Sequence, residues 1–71
     1  MRIDYIDFFS RVIPEWMARS NQKSQEVGFS SDAYWLWVVS SIGEICNQYN
    51  DDELVTEQFE LLFNWLEKQA G

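Results

Sequence analysis

Residues Phe29–Tyr49 read FSSDAYWLWVVSSIGEICNQY and form the most apolar segment of the chain, placed at its middle. Whether this stretch is a helix or a strand decides the fold. Its opening favours a helix. Ser30 or Ser31 can accept from the first free amides, and Phe29 before them can close over Tyr34 as a hydrophobic staple. Asp32 in the first turn suits the positive end of a helix dipole. At helical spacing Trp35, Val38, Val39, Ile42, Ile45, Cys46 and Tyr49 share one broad face, and Ser40, Ser41, Glu44, Asn47 and Gln48 the opposite one. The β-branched and aromatic content of YWLWVV favours a strand. Against it, the polar residues keep helical spacing for about five turns and no hairpin partner with turn chemistry flanks the segment. The prediction is a helix starting near Ser31. Trp37 breaks its pattern, falling among Ser40, Ser41 and Glu44 where a polar residue belongs, with Leu36 and Tyr34 at the boundary.

Towards the N-terminus, a first helix is expected from Ile3 to about Glu26. Tyr5, Ile6, Phe9, Val12, Ile13 and Trp16 fall on one side with Met17 at the edge, while Asp7, Arg11, Glu15 and Arg19 recur every four residues on the other. Such a ladder of opposite charges adds about 0.2–0.5 kcal/mol per pair on a solvated face. Pro14 lacks the N–H that would reach the Ser10 carbonyl and disfavours helical geometry at Ile13, so the helix is kinked or split there. In SNQKSQ, residues 20–25, apolar residues vanish, and the helix either projects into solvent or frays. Gly28 is the expected stop.

Towards the C-terminus, Asn50 ends the central helix and Asp51 or Asp52 caps a third, running from Asp52 to about Gln69. Val55, Phe59, Leu62 and Leu66 make its core stripe. Leu54, Leu61 and Trp65 make a second stripe beside it, and Phe63 borders the first, so apolar residues span roughly 200° where ~100° suffices to face one core. This helix is expected to have two neighbours, and the second stripe is the candidate self-association surface. Opposite lie Glu53, Glu57, Glu60, Asn64 and Glu67, an acidic ridge relieved only by Lys68.

The expected fold is therefore all-α, a small three-helix bundle spanning residues 1–71 as one domain. A chain of 71 residues is short, and a lone core below about 70–80 residues rarely supplies more than ~3–5 kcal/mol. One cysteine allows no intrachain disulfide and the absence of histidine argues against zinc, which leaves oligomerisation, a homodimer in the simplest case, as the common source of extra stability. A formal charge of −7 argues against nucleic acid and anionic membranes as direct partners. No apolar run reaches the ~20 residues of a membrane span, and MRIDYIDFFS carries acids where a signal peptide would be apolar, so the expected compartment is the cytoplasm.

Chemistry has little to work with. Without histidine, Cys46 or Ser40 would need an unusual base, and Cys46 sits on the apolar face, where a thiol is usually inert. The NDDE run lacks the glycine turn of a calcium loop, and the isolated glycines form no phosphate cradle. No catalytic, cofactor or metal site is expected. A ligand pocket between helices would need Tyr34, Tyr49 or Glu44 in its wall. The charge is uneven: Arg2, Arg11, Arg19 and Lys23 lie in the first third, and nearly all later charges are acidic. Two surfaces follow as candidates for a basic protein partner, Trp37 with Glu44, and the ridge Glu53, Glu57, Glu60 and Glu67. In general character, short, acidic and aromatic-rich, the chain resembles small inhibitors and the immunity and counter-defence proteins of bacteria and their phages, although no motif carries that likeness. The expected function is a non-enzymatic module that blocks a larger enzyme or toxin; the alternative is a structural homodimer or small subunit joined through Leu54, Leu61 and Trp65.

Overall fold

The computed structural model describes residues 3–71; Met1 and Arg2, the latter counted among the cations above, lie outside them. Three helices and no strand make up the described residues. The central helix, Asp32–Gln48, opens on Ser31, whose hydroxyl accepts from the Tyr34 amide at 3.2 Å. The staple forms as well, with the Phe29 and Tyr34 rings 5.3 Å apart. The third helix, Glu53–Ala70, is capped by the Asp52 carboxylate. Between these two helices Asn50 and Asp51 both take left-handed backbone, φ 56° and 54°. Their short polar side chains tolerate that region better than most, and the Asp51 amide closes the turn by donating back to the Cys46 carbonyl at 2.8 Å.

The first helix does not break at Pro14. It runs as α-helix over Tyr5–Asp7, widens to a π-helix over Phe8–Val12, and resumes as α-helix over Ile13–Val27. In the widened turn the Ile13 amide donates to the Phe8 carbonyl, five residues back. The extra residue per turn falls immediately before the proline, where the regular ladder loses a donor in any case. This rotates everything N-terminal to it. Phe8 turns inward, five residues before the buried Ile13, while Ile6, expected on the apolar side, is 83% exposed and Phe9 is displaced to the rim. SNQKSQ stays helical, and Gly28 at φ 91° stops the helix as expected.

Cross-helix pairs fix the directions. Phe8 meets Tyr49, Trp16 meets Trp37 and Ser20 meets Tyr34, so the first and central helices run antiparallel. Tyr5 meets Asp52 and Phe8 and Trp16 both meet Phe59, so the first and third run parallel. The core comprises Phe8, Ile13, Trp16, Tyr34, Val38, Cys46, Val55, Phe59 and Leu66. Several central-helix positions differ from the spacing, among them Val39, which was expected on the apolar face and is 59% exposed. Tyr34, expected at the boundary, is fully buried, and Ser41, expected on the polar face, is buried too. Both face the first helix across polar bridges: the Tyr34 hydroxyl lies 2.7 Å from Ser20 Oγ, and Trp16 Nε1 donates to Ser41 Oγ at 2.9 Å. Ser41 Oγ in turn donates to the Val38 carbonyl, and no buried side-chain polar atom of the described residues is left without a partner. No described helix is long and apolar enough to cross a membrane.

Candidate functional site

On the third helix Glu53, Glu57, Glu60 and Glu67 all stand exposed, with Asn64 in the same row. Among the described residues no ion pair engages any of them. The first helix pairs Arg11 and Lys23 with its own carboxylates. Arg11 binds Asp7 through two hydrogen bonds, at 2.8 and 2.9 Å, and reaches Glu15 at 3.5 Å, while Lys23 lies 3.9 Å from Glu26. The Arg11 hydrogen bonds hold the Asp7 carboxyl below the usual carboxylate range and raise Arg11 in return. Arg19, fourth in the expected ladder, instead sits 5.9 Å above the Trp37 ring. At the head of the third helix the Tyr5 hydroxyl donates to the capping Asp52 carboxylate at 2.9 Å, which raises the phenol above its ordinary value.

Apolar side chains border the ridge on both sides. On one side Leu54, Leu61 and Trp65 remain exposed, Leu61 by 64% and Trp65 by 52%, so packing within the chain covers only part of the second stripe. Met17 and Trp65 share a small hollow of about 110 Å³ between the first and third helices. On the other side a groove of about 320 Å³ runs between the central and third helices, floored by Val39, Ile42, Gly43, Cys46, Phe59 and Phe63, with Glu60 at its edge. Leu36 and Val39, 70% and 59% exposed, continue this apolar surface along the central helix.

Trp37 and Glu44 lie elsewhere, towards the first helix. The Trp37 ring stacks on Trp16 with centroids 5.4 Å apart and an interplanar angle of 22°, half-covered from one side by Trp16 and approached by Arg19. Its covering thus comes from the first helix, with Gln22 and Lys23 of the SNQKSQ segment lining the cleft beside it. Glu44 lines a charged cleft of about 190 Å³ with Arg11, Glu15, Arg19 and Tyr49. Among the described residues, no glutamate of the third helix lines that cleft or the one beside Trp37. Tyr34 belongs to the core and cannot wall a pocket. The thiol of Cys46 is buried in the groove floor. Among the described residues no three ligating side chains converge as a metal site would need.

Sequence reasoning missed the groove. Its signal was Gly43, an interior helix glycine flanked by Ile42 and Cys46, together with the surplus of apolar residues on two adjoining helices. No family model matches the chain, and neither the curated proteins nor the solved structures contain a significant match.

Proposed function

We propose that this chain is a non-enzymatic protein-binding module that docks on a basic surface of a larger protein through its third helix, and blocks that protein by occupying it. The observation that carries this reading is the exposed row Glu53, Glu57, Glu60 and Glu67, unpaired among the described residues and edged by exposed apolar side chains. Like charges so gathered raise the local potential and steer a cationic partner in, at a rate that falls with salt. Trp65 beside the row supplies the residue type most enriched at interface centres. Ridge glutamates one turn apart, ~5.4 Å along the axis, offer regularly spaced anions to a groove that otherwise receives phosphates. Trp37 and Glu44, at the first-helix side, form a second and smaller candidate surface.

The test is capture from a host lysate by the immobilised wild type and by a Glu53→Lys, Glu57→Lys, Glu60→Lys variant of unchanged helicity. A partner held only by the wild type, and released by moderate salt, supports the reading. Equal capture by both proteins sinks it.

A second reading is favoured by one specific pattern. Leu54, Gln58, Leu61 and Trp65 repeat at intervals of four, three and four, the seam spacing of paired helices, and the three apolar members are exposed. A homodimer joined there would sediment at twice the monomer mass, and Trp65→Glu would return it to monomer. A wild-type monomer at high concentration would exclude it.

A further inference from the structure

We infer that the groove between the central and third helices receives one cationic amphipathic helix of the partner protein, an apolar side chain seating over Gly43 and a lysine or arginine meeting Glu60. This rests on the protein-binding reading above and names the segment the partner must present.

Gly43 is the pivotal residue. It stands inside the central helix with ordinary helical backbone, Gly28 being the positive-φ glycine of the described residues, and a Cβ built on it would meet nothing within 4 Å. Glycine weakens a helix interior, and here no close approach or special dihedral within the chain asks for one. Its effect is to leave a notch in an apolar floor. Thr56, also small, lies across the groove on the third helix. The floor from Val39 to Cys46, with the exposed Leu36 one turn beyond it, spans ten residues of the central helix, ~15 Å, enough for about three turns of a docked helix. Two helices presenting an apolar trough is the usual receptor for the apolar face of a third.

Charge selects the occupant. Glu60 is the charged residue of the groove lining, and the exposed Glu53, Glu57 and Glu67 of the same helix add to its negative potential, with Lys68 the one cation of that helix. An acidic amphipathic helix would meet repulsion along the Glu60 edge, and a neutral one would leave Glu60 without a counter-charge. A second copy of this chain is a poor fit for the same reason, since its net charge is −7, its Arg11 and Lys23 are engaged by carboxylates of their own helix and its Arg19 lies over Trp37.

The probe is a fluorescein-labelled peptide of about 18 residues, long enough to hold a helix, with leucine and lysine at amphipathic spacing. Two controls accompany it, one with glutamate for lysine and one of equal composition with the spacing broken. Saturable one-to-one binding of the first peptide alone is expected by anisotropy. Gly43→Leu, which fills the notch and keeps or raises thermal stability, is expected to weaken it about ten- to a hundredfold, the scale of losing a central apolar anchor. Glu60→Lys is expected to weaken it and flatten its salt dependence. Unchanged affinity in Gly43→Leu, or equal binding of the broken-spacing peptide, would overturn the inference. So would a wild-type dimer that Gly43→Leu dissociates, because a second copy would then own the groove. The two readings fail separately: if ridge reversal abolishes partner capture while Gly43→Leu leaves it intact, the module stands and the groove helix falls.

Discussion

Replacing Phe8 tests the register of the first helix, on which the whole core depends. The Phe8 ring is fully buried, with centroids 5.0 Å from Phe9, 5.3 Å from Tyr49 and 5.9 Å from Phe59, each edge to face. Burial of such a side chain contributes about 1.5–3 kcal/mol, and the cavity left among three aromatic neighbours brings Phe→Ala to about 3–5 kcal/mol. A lone core of this size supplies only ~3–5 kcal/mol in total. Phe8→Ala should therefore be largely unfolded in water, and Phe8→Leu should fold with a clearly lowered urea midpoint. Ile6 is the control. At 83% exposure Ile6→Ala should change stability by less than about 0.5 kcal/mol, a midpoint shift near 0.5 M for a slope of ~1 kcal/mol/M. Urea titrations followed by circular dichroism and tryptophan fluorescence read all three variants. If Ile6→Ala costs more than Phe8→Leu, the first helix holds a regular register through residue 10 and the π turn before Pro14 is refuted.

Tyr34→Phe should cost about 1–3 kcal/mol by stranding the buried Ser20 hydroxyl, and Ser20→Ala combined with it should recover part of that loss in a double-mutant cycle. Trp37→Ala should lose about 0.5–1.5 kcal/mol of stacking on Trp16, measured by thermal melting, whether or not a partner is present. Because Asp52 raises the Tyr5 phenol in the folded state, its contribution should be present below pH 10 and lost as pH rises through the raised value; Tyr5→Phe should remove that alkaline dependence in a melting series. Asp7 has the opposite sign. Its contribution should hold above the ordinary carboxylate range and fade as pH falls through the lowered folded value, a fade absent from Asp7→Asn. The thiol of Cys46 should react with a bulky disulfide reagent only through opening of the helices, at a rate that rises with urea.

The candidate surface was partly legible. Exposed acids need only a helix and its spacing, so Glu53, Glu57, Glu60 and Glu67 emerge as a row from sequence and stand in one on the third helix. The exposed stripe of Leu54, Leu61 and Trp65 emerges likewise, as more apolar arc than one core can cover. The covering of Trp37 did not, because Trp16 and Arg19 lie on another helix, which no spacing within the central helix can place.

By itself the sequence determined what is local: that the chain is helical, that Ser30 or Ser31 and Asp51 or Asp52 start two helices and Gly28 stops one, and that negative charge gathers towards the C-terminus. Caps, stops and periodicity act within a few residues, so they are written in short stretches. Tertiary structure alone decided which way each face points. A single extra residue in the turn before Pro14 moved Phe8 inward and Ile6 outward. Contact with the first helix then buried Tyr34 and Ser41, whose side-chain oxygens meet Ser20 and Trp16 there. The groove over Gly43 exists only where two distant segments meet, which no helical spacing in either segment can record.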